Sequence, residues 1–239
     1  MNLLAFDTST ESLSVAVQRG GAGSHPLFEH AGAGGAQASS TLIPAIQQLL
    51  AQAGLRMNQL EAIVFGRGPG SFTGLRTACS VAQGLAFGAG VPVLAVDTLL
   101  AVAEDACGRA NAQRVVAVLD ARMDEVYTAS YVRDGGAWRQ EGETSLVHPE
   151  EVVVPPGWAL AGNAFTAYGL RLPAASARIE ALPTAGALLR LAPQLLAAGH
   201  AGPASQATPL YIRDKVAQTT VERAAARDAA RLAHSSAAT

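Results

Sequence analysis

An apolar run, Ala62-Ile63-Val64-Phe65, leads into Gly66-Arg67-Gly68-Pro69-Gly70-Ser71-Phe72-Thr73-Gly74-Leu75-Arg76, and a long uncharged segment follows. Four glycines and a proline at this point require a backbone that turns sharply and lets another group come close. A strand, a glycine-rich turn and a helix start in succession point free N–H groups outward, the geometry that cradles anions. The same glycines would equally serve a tight connection in which only packing matters. The rest of the chain has to choose between the two.

The 239 residues suffice for one large domain or two small ones, each with its own core. With 49% apolar and 15% charged residues the chain reads as globular rather than disordered. Seventeen basic residues face nineteen acidic ones, and no run of lysine or arginine offers a surface for phosphates. Autonomous nucleic-acid binding is therefore disfavoured, and any contact with nucleic acid is expected through a partner. Cys79 and Cys107 are too far apart for a disulfide framework or a metal motif. The N-terminus lacks a signal-peptide pattern, so the expected compartment is the reducing cytoplasm. Thr77 to Val96 carries no charge, but Gly84, Gly88, Gly90 and Pro92 interrupt it, and Val91–Val96 reads as a buried parallel strand instead of part of a membrane span.

Leu3–Phe6, the polar turn Asp7-Thr8-Ser9-Thr10-Glu11 and the alternating Ser12–Gln18 form a hairpin, with a third short strand over Leu27–His30. Ala31–Ala38 is small and glycine-rich and is expected to be a mobile loop. Ser39–Ala53 is the clearest helix, capped by Ser40 or Thr41, with Pro44 in its first turn and Gly54 closing it. Gly74–Gly88 is apolar around most of its circumference, which predicts burial on more than one side. Asp97-Thr98 is expected to cap a helix that Gly108 closes. The pattern then begins again. Val115–Leu119 ends at Asp120, Glu125–Val132 alternates, and the two hairpins superpose at an offset of 113 residues, a candidate internal duplication. Further on come a short helix start at His148-Pro149-Glu150-Glu151, a strand over Trp158–Asn163, a helix over Thr184–Ala198 kinked at Pro193, and a last ordered piece, Pro209–Arg213. Thr219 and Glu222 resemble a capping box ahead of a tail expected to be frayed or disordered. The expected domains are 1–108 and 109–217, the last segment of the second packing back on the first, with a tail over 218–239.

Four stretches, Leu4-Ala5-Phe6-Asp7-Thr8-Ser9-Thr10, the run Gly66–Arg76, Asp120-Ala121-Arg122-Met123-Asp124-Glu125-Val126-Tyr127 and Pro209-Leu210-Tyr211-Ile212-Arg213, resemble the bacterial TsaB (YeaZ) family in order and spacing. The resemblance implies an α/β fold of the actin/hexokinase/Hsp70-like (ASKHA) kind, two related domains with mixed sheets flanked by helices. It implies a role in making threonylcarbamoyladenosine beside the anticodon of certain tRNAs, as a non-catalytic subunit. The paralogue TsaD would be its partner and would carry the nucleotide (ATP or ADP) and the metal, with the nucleotide possible at the interface as well. TsaE would join the pair and tRNA would be met only through the complex; an exposed apolar helix would favour a homodimer of the isolated chain through the same face. No membrane is involved.

Chemistry of this chain's own is weighed against that background. Asp7, Thr8 and Ser9, with Asp120 and Arg122 on the second turn, are candidates for a vestigial phosphate site. A free-standing ASKHA-type phosphotransferase would also need glycines in the second turn, where Ala121-Arg122-Met123-Asp124 is bulky and partly acidic. A metal site in the partner's style needs two histidines one helical turn apart, and His25, His30, His148, His200 and His234 have no such spacing. Alignment on Leu42-Ile43-Pro44 puts Ala38 where many family members keep a histidine. A glycoprotease-like peptidase is the least favoured alternative, because Gly70-Ser71-Phe72 lacks the flanking pattern of a nucleophile elbow. The interaction reading assigns Leu42, Ile46, Leu49, Cys79, Val81, Ala82 and Leu85 to a partner-binding helix pair. It gives Gly66, Arg67, Gly68, Pro69, Gly70, Ser71, Phe72, Thr73, Gly74 and Arg76 to a loop that meets the partner or an interfacial anion.

Overall fold

The computed structural model describes residues 1–20 and 26–213. Strands β1 (Leu3–Asp7), β2 (Ser12–Gln18), β3 (Leu27–Ala33), β4 (Ala62–Gly68) and β5 (Val93–Asp97) form one sheet in the order β3-β2-β1-β4-β5. The first three pair antiparallel, while β4 and β5 run parallel to β1. Alternation along β1 explains its central place: Leu4 and Phe6 point to one face, Leu3 and Ala5 to the other, and all four are fully buried. Helices α1 (Ala38–Ala53) and α2 (Phe72–Ala89) cover the Leu4/Phe6 face through Leu42, Ile46, Leu49, Ala78 and Ala82. The Leu3/Ala5 face packs against Leu188, Leu189 and Leu191 of a helix from the far end of the chain, Ala185–Ala197.

A second sheet repeats the first. Strands β6 (Arg114–Arg122), β7 (Glu125–Asp134), β8 (Ala137–Val147), β9 (Ala159–Gly162) and β10 (Ala177–Glu180) lie in the order β10-β9-β6-β7-β8, again an antiparallel trio with two parallel strands beside its first member. The 113-residue offset sets β1 on Val116–Asp120 of β6, so the duplication is a duplication of structure. Helix α3 (Thr98–Ala110) joins the halves, packing Leu99, Val102 and Ala106 onto β6 and β7. A four-residue helix, α4 (Phe165–Tyr168), stands between β9 and β10, and Ala185–Ala197 is α5. On α3, the buried Glu104 accepts from Trp138 Nε1 of β8 and Arg190 Nε of α5, both at 2.8 Å. Asp105 accepts from Leu182 N and the Thr184 hydroxyl, both at 3.2 Å. Two like sheets with this strand order and helices on their faces are the ASKHA architecture.

Several expectations change. Ala31–Ala38 is not a loop throughout: Ala31, Gly32 and Ala33 extend β3 opposite Ser14, Leu13 and Ser12, because main-chain pairing needs no large side chain. A single 3-10 turn, Gly35–Gln37, then leads into α1. Ser40 and Thr41 do not cap that helix, for their hydroxyls donate back to Gln37 O within its first turn, and Pro44 lies inside it. The Asp97 side chain makes no cap for α3; it pairs with Arg67, and Asn111 rather than Gly108 ends the helix, in the left-handed region (φ 52°). The start expected at His148 is one 3-10 turn, Pro149–Glu151. Helix α2 buries a single face, and its other side is open. Among the described residues no helix is long and apolar enough to cross a membrane. The residues of the suggested tail and its capping box, with His25 and His234, lie outside the described residues.

Candidate functional site

The turns of the two hairpins face each other across the seam between the halves. In the first turn Asp7 is 1% exposed; its Oδ1 accepts from Ser9 N (2.8 Å) and Ser9 Oγ (2.6 Å), and its Oδ2 has no partner. Burial is the main cause that pushes the Asp7 carboxyl up to about 6, against the two bonds from Ser9. The glycine-rich run is moulded onto this turn. A Cβ on Gly66 would lie 1.7 Å from Asp7 Oδ2, one on Gly70 2.5 Å from Ser9 O, and one on Gly74 1.8 Å from Thr8 O. The Thr8 hydroxyl donates to Gly74 O (2.7 Å), and Ser71 N donates to Ser9 O (2.7 Å).

Several donors of the run are thus engaged inside the chain. Gly68 N is bonded to Thr98 Oγ1 at 3.1 Å, and Ser71 Oγ serves as the N-cap of α2 by accepting from Gly74 N. Pro69 follows a cis peptide bond. What the sequence suggested as an anion cradle is the seat of the Asp7–Ser9 turn. Ser71 Oγ is already committed as that cap, and among the described residues no histidine lines the cavity beside it, so the partners a hydrolase nucleophile needs are not assembled there.

The second turn is held differently. Arg122, Met123 and Asp124 all have left-handed φ (61°, 55° and 66°), which non-glycine residues adopt only when their surroundings impose it. Those surroundings are visible. Arg122 Nη2 pairs with Glu11 Oε1 at 2.9 Å across the seam and Nη1 with Asp120 Oδ2 at 3.1 Å, while Arg122 N donates to Asp120 Oδ1. Asp120 Oδ1 also accepts from the Tyr168 hydroxyl, whose pKa burial pushes up to about 12, with help from Asp120. Arg171 pairs with both Asp124 and Glu150, and its hydrogen bonds hold the two carboxyls below their usual range.

Residues Pro209–Arg213 lie along the same seam. Leu210 N donates to Arg67 O at 2.7 Å, and Arg213 pairs with Glu125 at 2.7 Å and donates to Ala121 O at 3.1 Å. Tyr211 stacks on Phe72 with ring centroids 5.6 Å apart; Arg76 lies 3.8 Å over the Phe72 ring and donates from Nε to Tyr211 Oη at 3.0 Å. A cavity of about 300 Å³ remains between the turns and this segment. A metal–triphosphate does not fit the residues present. Asp7 is sealed behind the turn, Arg122 is already neutralised by Glu11 and Asp120, and those two carboxylates would face the phosphates. Among the described residues no group of three or more His, Cys, Asp or Glu side chains could hold a metal ion.

The partner-helix candidates divide unevenly. Leu42, Ile46, Leu49, Cys79 and Ala82 belong to the core, and only Val81 and Leu85 are half-buried. The correction has a simple cause, since the stripe that makes each helix readable is the stripe that faces the sheet. The outer surface consists of other residues: Ile43, Pro44, Gln47 and Gln48 on α1, and Thr73, Arg76, Ser80, Gln83, Gly84, Phe87 and Gly88 on α2. Phe87 is 84% exposed, and a Cβ added to Gly84 or Gly88 would meet nothing within 4 Å. A groove of about 480 Å³ runs past Ser39, Phe72, Thr73, Arg76, Thr77, Ser80 and Val81. The sequence points to Tyr211 only as part of a family stretch, without its place against α2, and to Phe87 not at all. Phe87 could have been found as the one large apolar residue in phase with Thr73, Ser80 and Gly84.

A family model described as "TsaD: tRNA N6-adenosine threonylcarbamoyltransferase" matches residues 33–225. The tRNA threonylcarbamoyladenosine biosynthesis protein TsaB of Haemophilus influenzae is 39% identical, over 90% of this chain and 95% of its own length. Its Escherichia coli counterpart is 35% identical over 91% and 96%. Among solved structures, YeaZ from Pseudomonas aeruginosa is 41% identical, superposes with a TM-score of 0.81, and matches 88% of this chain and 99% of that one. With identity at this level over nearly the whole chain and the same fold, the chain belongs to the TsaB/YeaZ family.

Proposed function

We propose that this chain is a non-catalytic subunit of the machinery that places threonylcarbamoyladenosine beside the anticodon of tRNA in the cytoplasm, and that it acts by pairing with TsaD. The observation that carries the reading is the open α1/α2 surface. Among the described residues nothing packs against Gly84 or Gly88, and Phe87 stands between them, 84% exposed. Small residues on a helix surface let a second helix approach closely, and an exposed aromatic ring between them is a ready anchor. The same face would support a homodimer when the chain is alone. The seam between the hairpins supports the non-catalytic half of the reading, because its acids and its arginine are committed to one another. Nucleotide and metal then belong to TsaD or to the interface, tRNA is met through the complex, and TsaE completes it.

The test is reconstitution. The chain alone should transfer no threonylcarbamoyl group, and transfer should appear when TsaD, TsaE and the enzyme supplying threonylcarbamoyl-adenylate are added. Equal activity of that set without this chain would refute the proposal. The competing reading, a free-standing phosphotransferase, requires the isolated chain to bind magnesium-ATP. Calorimetry at millimolar nucleotide is expected to give no binding heat, and a saturable isotherm would favour the competitor.

A further inference from the structure

We propose that Arg76 is the polar anchor of the α1/α2 face and that it takes a carboxylate presented by the protein docked there. The inference rests on the reading of that face as the surface for TsaD. Helix α1 has 16 residues and α2 has 18, and Arg76 is the only charged side chain among them. A partner laid along these helices therefore meets one positive charge among hydroxyls, amides and apolar groups. No carboxylate of the described residues pairs with it.

Its pose is fixed in advance. The guanidinium lies over Phe72, its Nε is held by the Tyr211 hydroxyl, and Tyr211 is itself stacked on Phe72. Tyr211 arrives from the distant end of the described chain, anchored one residue earlier by the bond from Leu210 N to Arg67 O. With one face on a ring and Nε engaged, the guanidinium keeps its two Nη groups for a ligand, and Arg76 lines the groove beside Thr73, Thr77 and Ser80. An arginine held in this way loses little freedom on binding, and its planar fork matches a carboxylate in two-point contact. An RNA phosphate offers like chemistry, but RNA binding draws on several cations at once and this face has one. A protein carboxylate is the better match.

The experiment measures affinity for purified TsaD from the same organism by calorimetry at low and high salt, for the wild type, Arg76→Ala, Arg76→Glu, Tyr211→Ala and Gly84→Trp, with thermal melting to check each fold. Arg76→Ala should bind about tenfold more weakly and Arg76→Glu about a hundredfold, and the salt dependence of the wild type should flatten in Arg76→Ala. Tyr211→Ala, which frees the arginine, should fall between the wild type and Arg76→Ala. Should Arg76→Glu disturb the fold, Arg76→Met carries the same test. If Gly84→Trp abolishes binding while the Arg76 variants bind like the wild type with unchanged salt dependence, the carboxylate anchor is overturned and the α1/α2 face stands. If Gly84→Trp and the Arg76 variants all bind normally, the face itself is overturned and the anchor with it. If the Arg76 variants keep their affinity for TsaD but weaken tRNA binding by the assembled complex, the ligand is a phosphate and the proposal is overturned.

Discussion

Asp7 holds its proton to about pH 6 in the folded chain, against 3.8 for the free side chain, because its carboxyl is buried with one oxygen unpartnered. Between those values the folded state binds more protons than the unfolded one, so the stabilising contribution of Asp7 is complete below about pH 4 and is lost as pH rises through about 6. A shift of this size corresponds to about 3 kcal/mol. Asp7→Asn, which keeps the shape and cannot ionise, should therefore be more stable than the wild type at pH 8 by roughly 1–3 kcal/mol. The gap should close towards pH 4 in urea titrations, and parallel stability curves over this range would contradict the burial argument. Asp7 also explains Gly66, since no side chain fits where the carboxylate already lies. The same pressure of main chain against main chain accounts for Gly70 and Gly74. Sequence alone shows that glycine is needed there but not what fills the space, because an anion and a folded-back turn ask the same thing of a backbone.

At the scale of elements, what was legible depended on whether a strand or helix makes its own pattern or borrows one. Helix α1 and strands β2 and β7 carry a period, β1 and β6 are unbroken apolar runs between turn residues, and all five are legible in the sequence. The end of β3, Ala31-Gly32-Ala33, and strand β8, with its Arg139, Gln140, Glu141 and Gly142, have neither, and they are ordered by pairing with a neighbour. The candidate site suffered from the reverse effect. The residues easiest to read on α2, Cys79 and Ala82, turned out to be core, whereas those facing solvent break the apolar pattern. Ala82 is fully buried, so Ala82→Asp should unfold the first half and reports nothing about a partner. Gly84→Ala should do the opposite, adding about 0.5–1 kcal/mol to the isolated chain by removing a glycine from a helix with open space at its Cβ. A thermal melt decides this, and a destabilised Gly84→Ala would mean that the glycine serves the chain's own fold.

Across the described residues, polar and stacking contacts of three kinds join the two halves, beside the apolar packing of α5 on β1. The buried acids Glu104 and Asp105 bind α3 to α5, β8 and the chain ahead of α5. Arg122 and Glu11 connect the two turns. Leu210, Tyr211 and Arg213 run from Arg67 and Phe72 to the second turn. A cleft that could have opened on a nucleotide is thus crossed by the chain's own groups, while the α1/α2 face is left bare. On this account the protein works through that face and not through the seam. The direct test is threonylcarbamoyl transfer by the reconstituted set, with the wild-type chain or with Gly84→Trp, whose ring would stand on the face without touching the core. The account predicts that Gly84→Trp melts like the wild type and fails to support transfer. Full activity with Gly84→Trp, or full activity with no chain added, would contradict it.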